Sequence, residues 1–282
     1  MSEQLEYTLF YWPEIPGRGE FVRLCFEAAR VEYKEQNDVT ELSKLLLNKD
    51  VAGMAAPHFA VPVLGVRHFE DAASTLKKAR ADTATDVKDS GKTHYISQTP
   101  AILSFLAPRL GLLGDAEKLE RFERDVAVAQ IQQLCATALD LNNEVHDTHH
   151  PISTSSYYED QRTEAKARAA DFRTNRLPKF LQVFEAALRD NGADPDQKQL
   201  AATRLWGSKT TVADLTAFQV VDGLLFAFPN CMQNLKQAGK FDQVFRLHDQ
   251  IKDELKEYLQ SERRLPYSNG VFRHYPELDD AE

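Results

Sequence analysis

The stretch LFYWPEIPGRGEFVRLCFE, residues 9–27, decides how the chain begins to fold. Its first half closes an apolar, aromatic-rich run, EYTLFYW at 6–12, suited to a buried strand. PEIPGRG at 13–19 then supplies proline and glycine, the residues that punctuate elements. Beyond it Phe21, Leu24, Cys25 and Ala28 recur at i, i+3, i+4 and i+7, the stripe of an amphipathic helix. VEYKEQ at 31–36 reads as a second strand, so the opening is a βαβ unit.

Working outward, VPVLGV (61–66) and HYIS (94–97) read as a third and a fourth strand, and TPAILSFLA (99–107) as a helix. Thr99 suits the N-cap of that helix and Pro100 its first position, where the N–H would be unpaired anyway. Between these two strands lie residues 67–93, an insert whose second half is polar and without apolar period. A connection of that length in a compact domain is functional or mobile, and we expect a surface excursion, with a lid as the alternative. GLLGD at 111–115 marks a boundary. We therefore expect an α/β domain over 1–110 and an all-helical domain over 115–282. In the second, Leu119, Phe122, Val126 and Ala129 open a long helix reaching about Val145. Phe172 to Leu188 keep helical spacing across Pro178, which marks a start or a kink. Thr211 and Asp214 have capping-box spacing ahead of a further apolar helix, and Val244 to Leu259 form another.

Bulk properties exclude several classes. The 282 residues are 43% hydrophobic, enough to bury a core, and carry a net charge of −9. The basic footprint of a nucleic-acid binder is missing, and no apolar run approaches the roughly 18 residues that span a bilayer. No secretory signal is read at the N-terminus, and Cys25, Cys135 and Cys231 form neither a disulfide framework nor a CxxC metal site. These readings point to a cytoplasmic protein with no nucleic-acid or membrane partner and no metal.

Four segments, LFYWPEIPGRGEFVRLCFE, VPVL, ISQTPAILSFLAPRLGL and TTVADLTAF, come in the order and spacing of the glutathione transferases. The chain resembles the tyrosine-type classes (mu, pi, alpha, sigma) over roughly residues 5–260, leaving out 67–93 and the tail. The resemblance implies a thioredoxin-like domain that holds glutathione as co-substrate, a helical domain that helps hold an apolar electrophile, and a homodimer. It also implies conjugation of the glutathione thiolate in a detoxification type of reaction. A non-catalytic ligand-binding or structural protein with the same fold is the alternative.

The same resemblance assigns roles to single residues. Tyr11, at the end of the first strand, would donate its hydroxyl hydrogen bond to the glutathione sulfur. The thiolate is the nucleophile, and a reference pKa near 8.5 leaves only a few per cent ionised at neutral pH. The turn after Tyr11 is one residue longer than the family's usual form. Arg18 would order the site or face the electrophile, and Trp12 would line the electrophile pocket. Val61-Pro62 matches the cis-proline that turns the backbone of the preceding residue toward the cysteinyl unit. Gln98-Thr99 occupies the place where a helix N-terminus receives the γ-glutamyl carboxylate. Lys44 or Lys49 would meet the glycyl carboxylate. Gln133 stands near the place of an acidic residue that the partner subunit contributes.

His146, His149 and His150 with Asp147 could bind a metal by spacing, but their place before Pro151 favours capping of a helix end. A role in shaping the electrophile pocket is the other reading. Cys25 sits on the apolar stripe of the first helix and reads as core, which disfavours a cysteine-type mechanism.

Overall fold

The computed structural model describes residues 4–46, 56–69, 91–191, 204–268 and 270–280. Strand β1 (Gln4–Phe10) alternates, with Tyr7 and Leu9 buried against the first helix, α1 (Gly19–Ala29). The rings of Tyr7 and Phe26 lie 5.1 Å apart across that contact. Strand β2 is shorter than the sequence suggests, Lys34–Gln36. Residues 31–33 instead finish the helix exit, where Val31 N donates to Phe26 O at 3.0 Å. Helix α2 (Val39–Leu45) is capped by Asp38, which accepts from Thr40 N and Glu41 N.

Strands β3 (Val63–Phe69) and β4 (Thr93–Ser97) complete a four-stranded sheet of order β2-β1-β3-β4. β1 runs parallel to β2 and antiparallel to β3, and β4 is antiparallel to β3. Val63 pairs with Ser97 and Arg67 with Thr93. The chain therefore leaves β3 and re-enters β4 at the strand ends opposite Pro62 and Gln98, about 20 Å away. Of the insert 67–93, residues 70–90 lie outside the described residues.

Helix α3 (Thr99–Leu106) starts one residue earlier than expected. Gln98 is the N-cap, at φ 72, and Thr99 is the first helical residue, so Pro100 falls at the second position. The Gln98 side chain makes no capping hydrogen bond among the described residues, and the N–H of Thr99 belongs to the first turn, whose donors a helix leaves without intrahelical partners.

The remainder is helical: α4 (Arg121–His149), α5 (Arg162–Asp171), α6 (Leu177–Asn191), α7 (Val212–Ala227), α8 (Pro229–Gln237), α9 (Asp242–Glu254), α10 (Lys256–Leu259) and α11 (Pro276–Asp279). A π-helical turn, Phe172–Arg176, joins α5 to α6. It is explained by Pro178, which lacks the N–H that would have continued the α-helical ladder. α7 forms the centre of this part and packs on α1, α4 and α9. Thr211 and Asp214 form the expected capping box, with the buried Asp214 carboxylate accepting from Thr211 N, Thr211 Oγ1 and Leu205 N at 2.7–2.8 Å.

Along α4 the buried stripe is Ala127, Ile131, Leu134, Cys135, Ala138, Leu141 and Val145. Leu119, Phe122 and Val126, which the spacing marks as an apolar face, are exposed. No single helix among the described residues is long and apolar enough to cross a membrane. The sheet-plus-helices architecture followed by a helical bundle is the glutathione transferase fold.

Candidate functional site

Tyr11 leaves β1 with its ring folded beneath the turn at 13–19. Gly17 and Gly19 pass directly over it: a Cβ on Gly17 would lie 2.2 Å from the Tyr11 oxygen, and one on Gly19 2.6 Å from its ring. Only glycine admits this approach, and Gly17 also takes φ 43. Arg18 N donates to the Tyr11 hydroxyl oxygen at 2.6 Å. Burial, with 5% of the residue exposed, pushes the phenol above its ordinary pKa, while the backbone hydrogen bonds from Arg18 and Gly19 pull the other way. The group therefore stays protonated at neutral pH, and its proton has no acceptor among the described residues.

The turn is fixed from below by charges buried on α1. Arg23 donates to Pro16 O at 3.2 Å, to Glu20 at 3.2 Å, and as a two-pronged fork to Glu35 of β2 at 2.9 Å each. Glu20, wholly buried, also accepts from Tyr258 at 2.5 Å and pairs with Arg264 at 2.5 Å. Sequence reading missed Glu20 and Arg23. They lie beside the apolar stripe of α1, where charges normally face water, and only the packing of the C-terminal segment buries them.

Arg18 itself reaches across to α4, where its guanidinium donates to Asn143 Oδ1 at 2.8 Å. The Val61–Pro62 peptide is cis. Arg18, Val61, Pro62, Gln98 and Thr99 line one cavity of about 330 Å³, walled on the far side by Leu139, Asp140 and Asn143 of α4. Five of the residues singled out in sequence thus converge. Tyr11 lies behind the Arg18 backbone rather than in the cavity wall. Trp12 is half-buried against the core and does not line the cavity. Lys44 is exposed and bonded to Glu41, and Lys49 lies outside the described residues. The cavity wall also includes Phe59, which no motif marked.

His146, His149 and His150 form a compact cluster, with ring centroids 4.8–5.1 Å apart. His150 is the C-cap of α4, its backbone N–H donating to His146 O at 3.3 Å, while the buried His149 meets the C-terminal segment, its Nε2 lying 2.8 Å from Val271 O. Burial lowers all three pKa values, that of His149 to about 3. Among the described residues no group of three or more His, Cys, Asp or Glu is placed to hold a metal ion. Cys25 is fully buried and burial raises its thiol pKa, as suits a core residue.

Residues 146–262 match the family model described as the glutathione S-transferase C-terminal domain. No curated protein matches the sequence. Among solved structures, a Fasciola hepatica sigma-class GST aligns at a TM-score of 0.62 with 17% identity, over 94% of this chain and 98% of that one. A Pi-class glutathione S-transferase from Onchocerca volvulus aligns at 0.61 with 19% identity, over 95% and 100%. At such identities the likeness establishes the fold.

Proposed function

We propose that this chain, which has the glutathione transferase fold and carries that family's C-terminal domain over residues 146–262, is a cytosolic homodimer conjugating glutathione to an electrophile. The observation that carries the reading is the convergence of Arg18, Val61, Pro62, Gln98 and Thr99 on one cavity, with the Tyr11 hydroxyl behind it held by Arg18 N. In this reading the γ-glutamyl carboxylate meets the free N–H groups and positive dipole of the α3 N-terminus at Gln98 and Thr99. The cysteinyl unit pairs with the Val61 backbone, which leaves the sulfur near Tyr11 and Arg18. Lowering a thiol pKa by about 2 units takes roughly 2.7 kcal/mol, within reach of one or two aimed donors. The thiol loses its proton to solvent, the S–C bond forms, and the leaving group departs with its electron pair.

The test is conjugation of glutathione to a neutral aryl halide, measured against the spontaneous rate, alongside calorimetric titration with glutathione. Turnover well above the spontaneous rate supports the enzyme. Tight binding without turnover supports the second reading, a non-catalytic carrier, which is favoured by the deep placement of the Tyr11 ring behind the cavity wall. Absence of both sinks the assignment.

A further inference from the structure

The face of α4 that walls the cavity, Leu139, Asp140 and Asn143, continues by helical spacing to His146 and His150. The C-terminal segment closes the same corner. His149 meets Val271 O, and Arg273 Nε donates to Gly270 O at 3.0 Å. Gly270 abuts the turn, since a Cβ there would lie 3.8 Å from Gly17 N and Cα. Three elements, the turn at 13–18, the end of α4 and the segment 270–273, thus bring Arg18, Arg273 and three imidazoles to one place. The fields of Arg18 and Arg273 both reach His146, and that of Arg273 reaches all three rings.

The partner that Arg18 holds is the neutral amide of Asn143, so its charge is not cancelled by a direct carboxylate contact among the described residues. Two acids on the same helix, Asp140, which lines the cavity but is exposed, and Asp147, half exposed and 3.8 Å from His146, are screened by water. A pocket for a purely apolar molecule needs none of these groups, and holding the His149 imidazole buried costs desolvation that an aliphatic side chain would avoid. Neutral imidazoles between two guanidiniums suit an arriving anion, because they donate hydrogen bonds and can take up a proton as it binds.

We propose that this corner receives a carboxylate on the second substrate, whose apolar body lies along Leu139 and Phe59 while its anionic head sits between Arg18, His146 and Arg273. The proposal rests on the transferase reading above and names its substrate class: carboxylate-bearing electrophiles.

The experiment compares a chloronitrobenzoate with the corresponding neutral chloronitrobenzamide, each kcat/KM divided by its own spontaneous rate with glutathione. The expected preference for the benzoate is on the order of tenfold, the scale of one charged hydrogen bond. Arg273→Gln and, as a second variant should that one not fold, His146→Leu are expected to lower the benzoate-to-benzamide ratio about fivefold or more. Loss of both activities in equal proportion would reveal a structural role and overturn the assignment. Turnover of the benzamide with no preference for the benzoate overturns it too, and leaves the transferase reading intact. Turnover of neither overturns both.

Discussion

At Tyr11 one hydroxyl oxygen accepts the Arg18 N–H while the proton it carries stays free to be given away. Burial keeps that proton in place at neutral pH, so the residue is a donor to a thiolate rather than a phenolate competing with it. Tyr11→Phe is expected to lower the conjugation rate about 10-fold to 1000-fold with little change in glutathione affinity, the range for losing one preorganised donor. Full activity in the variant would assign sulfur activation elsewhere. His149 lends itself to a stability test. Its ring is 1% exposed and its pKa is lowered, first by burial, to about 3. Above pH of about 6.5 it is neutral folded and unfolded, and its contribution is whole. As pH falls further, the unfolded chain takes a proton that the folded chain refuses until about 3. Stability is therefore lost at up to roughly 1.4 kcal/mol per pH unit, or about 2 kcal/mol between pH 6.5 and 5. His149→Gln removes that slope. Urea unfolding of both proteins at neutral and acid pH measures the difference, and equal slopes would assign the dependence to other groups. At this scale, what could be read in sequence was what a short motif carries: Arg18, Val61, Pro62, Gln98 and Thr99. Glu20 was illegible because its partners Tyr258 and Arg264 lie more than two hundred residues along the chain, and Arg23 because its fork to Glu35 forms only once β2 is laid beside β1.

Among the elements, the start of α7 was legible because a capping box is local, two side chains three residues apart satisfying each other's backbone. The Asp214 carboxyl is pushed up to about 6 by burial, against the pull of its three donors. Asp214→Ala would leave Leu205 N and Thr211 N buried without an acceptor, at the centre of the helical part. The expected cost is about 2–4 kcal/mol, a lost cap plus unsatisfied donors, read as a lower urea midpoint with unchanged slope. A loss below about 0.5 kcal/mol would mean that water or a neighbour replaces the carboxylate. The face of α4 was not legible in the same way. Phe122 and Val126 have the spacing of a core stripe, yet Phe122 is 73% exposed, while the face carrying Ile131 and Leu141 is buried. Periodicity reports that a helix has an apolar side and says nothing about what covers it. The shortened β2 has a similar cause, since the αL exit of α1 at Arg30 consumes residues that composition assigns to a strand.

For the whole molecule, that uncovered face is the argument for a second copy. Phe122 and Val126 are exposed on the first half of α4, Leu119 is exposed just before it, and Phe59 is 80% exposed beside the cavity. Between α3 and α4 runs an apolar recess of about 340 Å³, lined by Leu103, Val128, Ile131 and Ala136 among others. A single chain leaves both the protruding rings and the recess to water, which monomers seldom tolerate over a contiguous patch. A two-fold pairing presents the same patch twice, so ring and recess of each copy can serve the other. Light scattering is expected to give twice the chain's 32.0 kDa at micromolar concentration. Phe122→Lys with Val126→Lys is expected to give the single mass, because two charges would then be buried without partners. A monomeric wild type would refute the pairing. The double variant also asks whether the site needs its partner. Gln133, exposed on the same helix where an acidic residue would otherwise reach across, brings no charge. Arg18, Val61, Gln98 and Thr99 all come from one chain. Glutathione affinity of the monomer should therefore stay within about threefold of the dimer's, under 1 kcal/mol. A fall of about a hundredfold would show that the neighbouring copy completes the γ-glutamyl end of the site, through a group other than a carboxylate at 133.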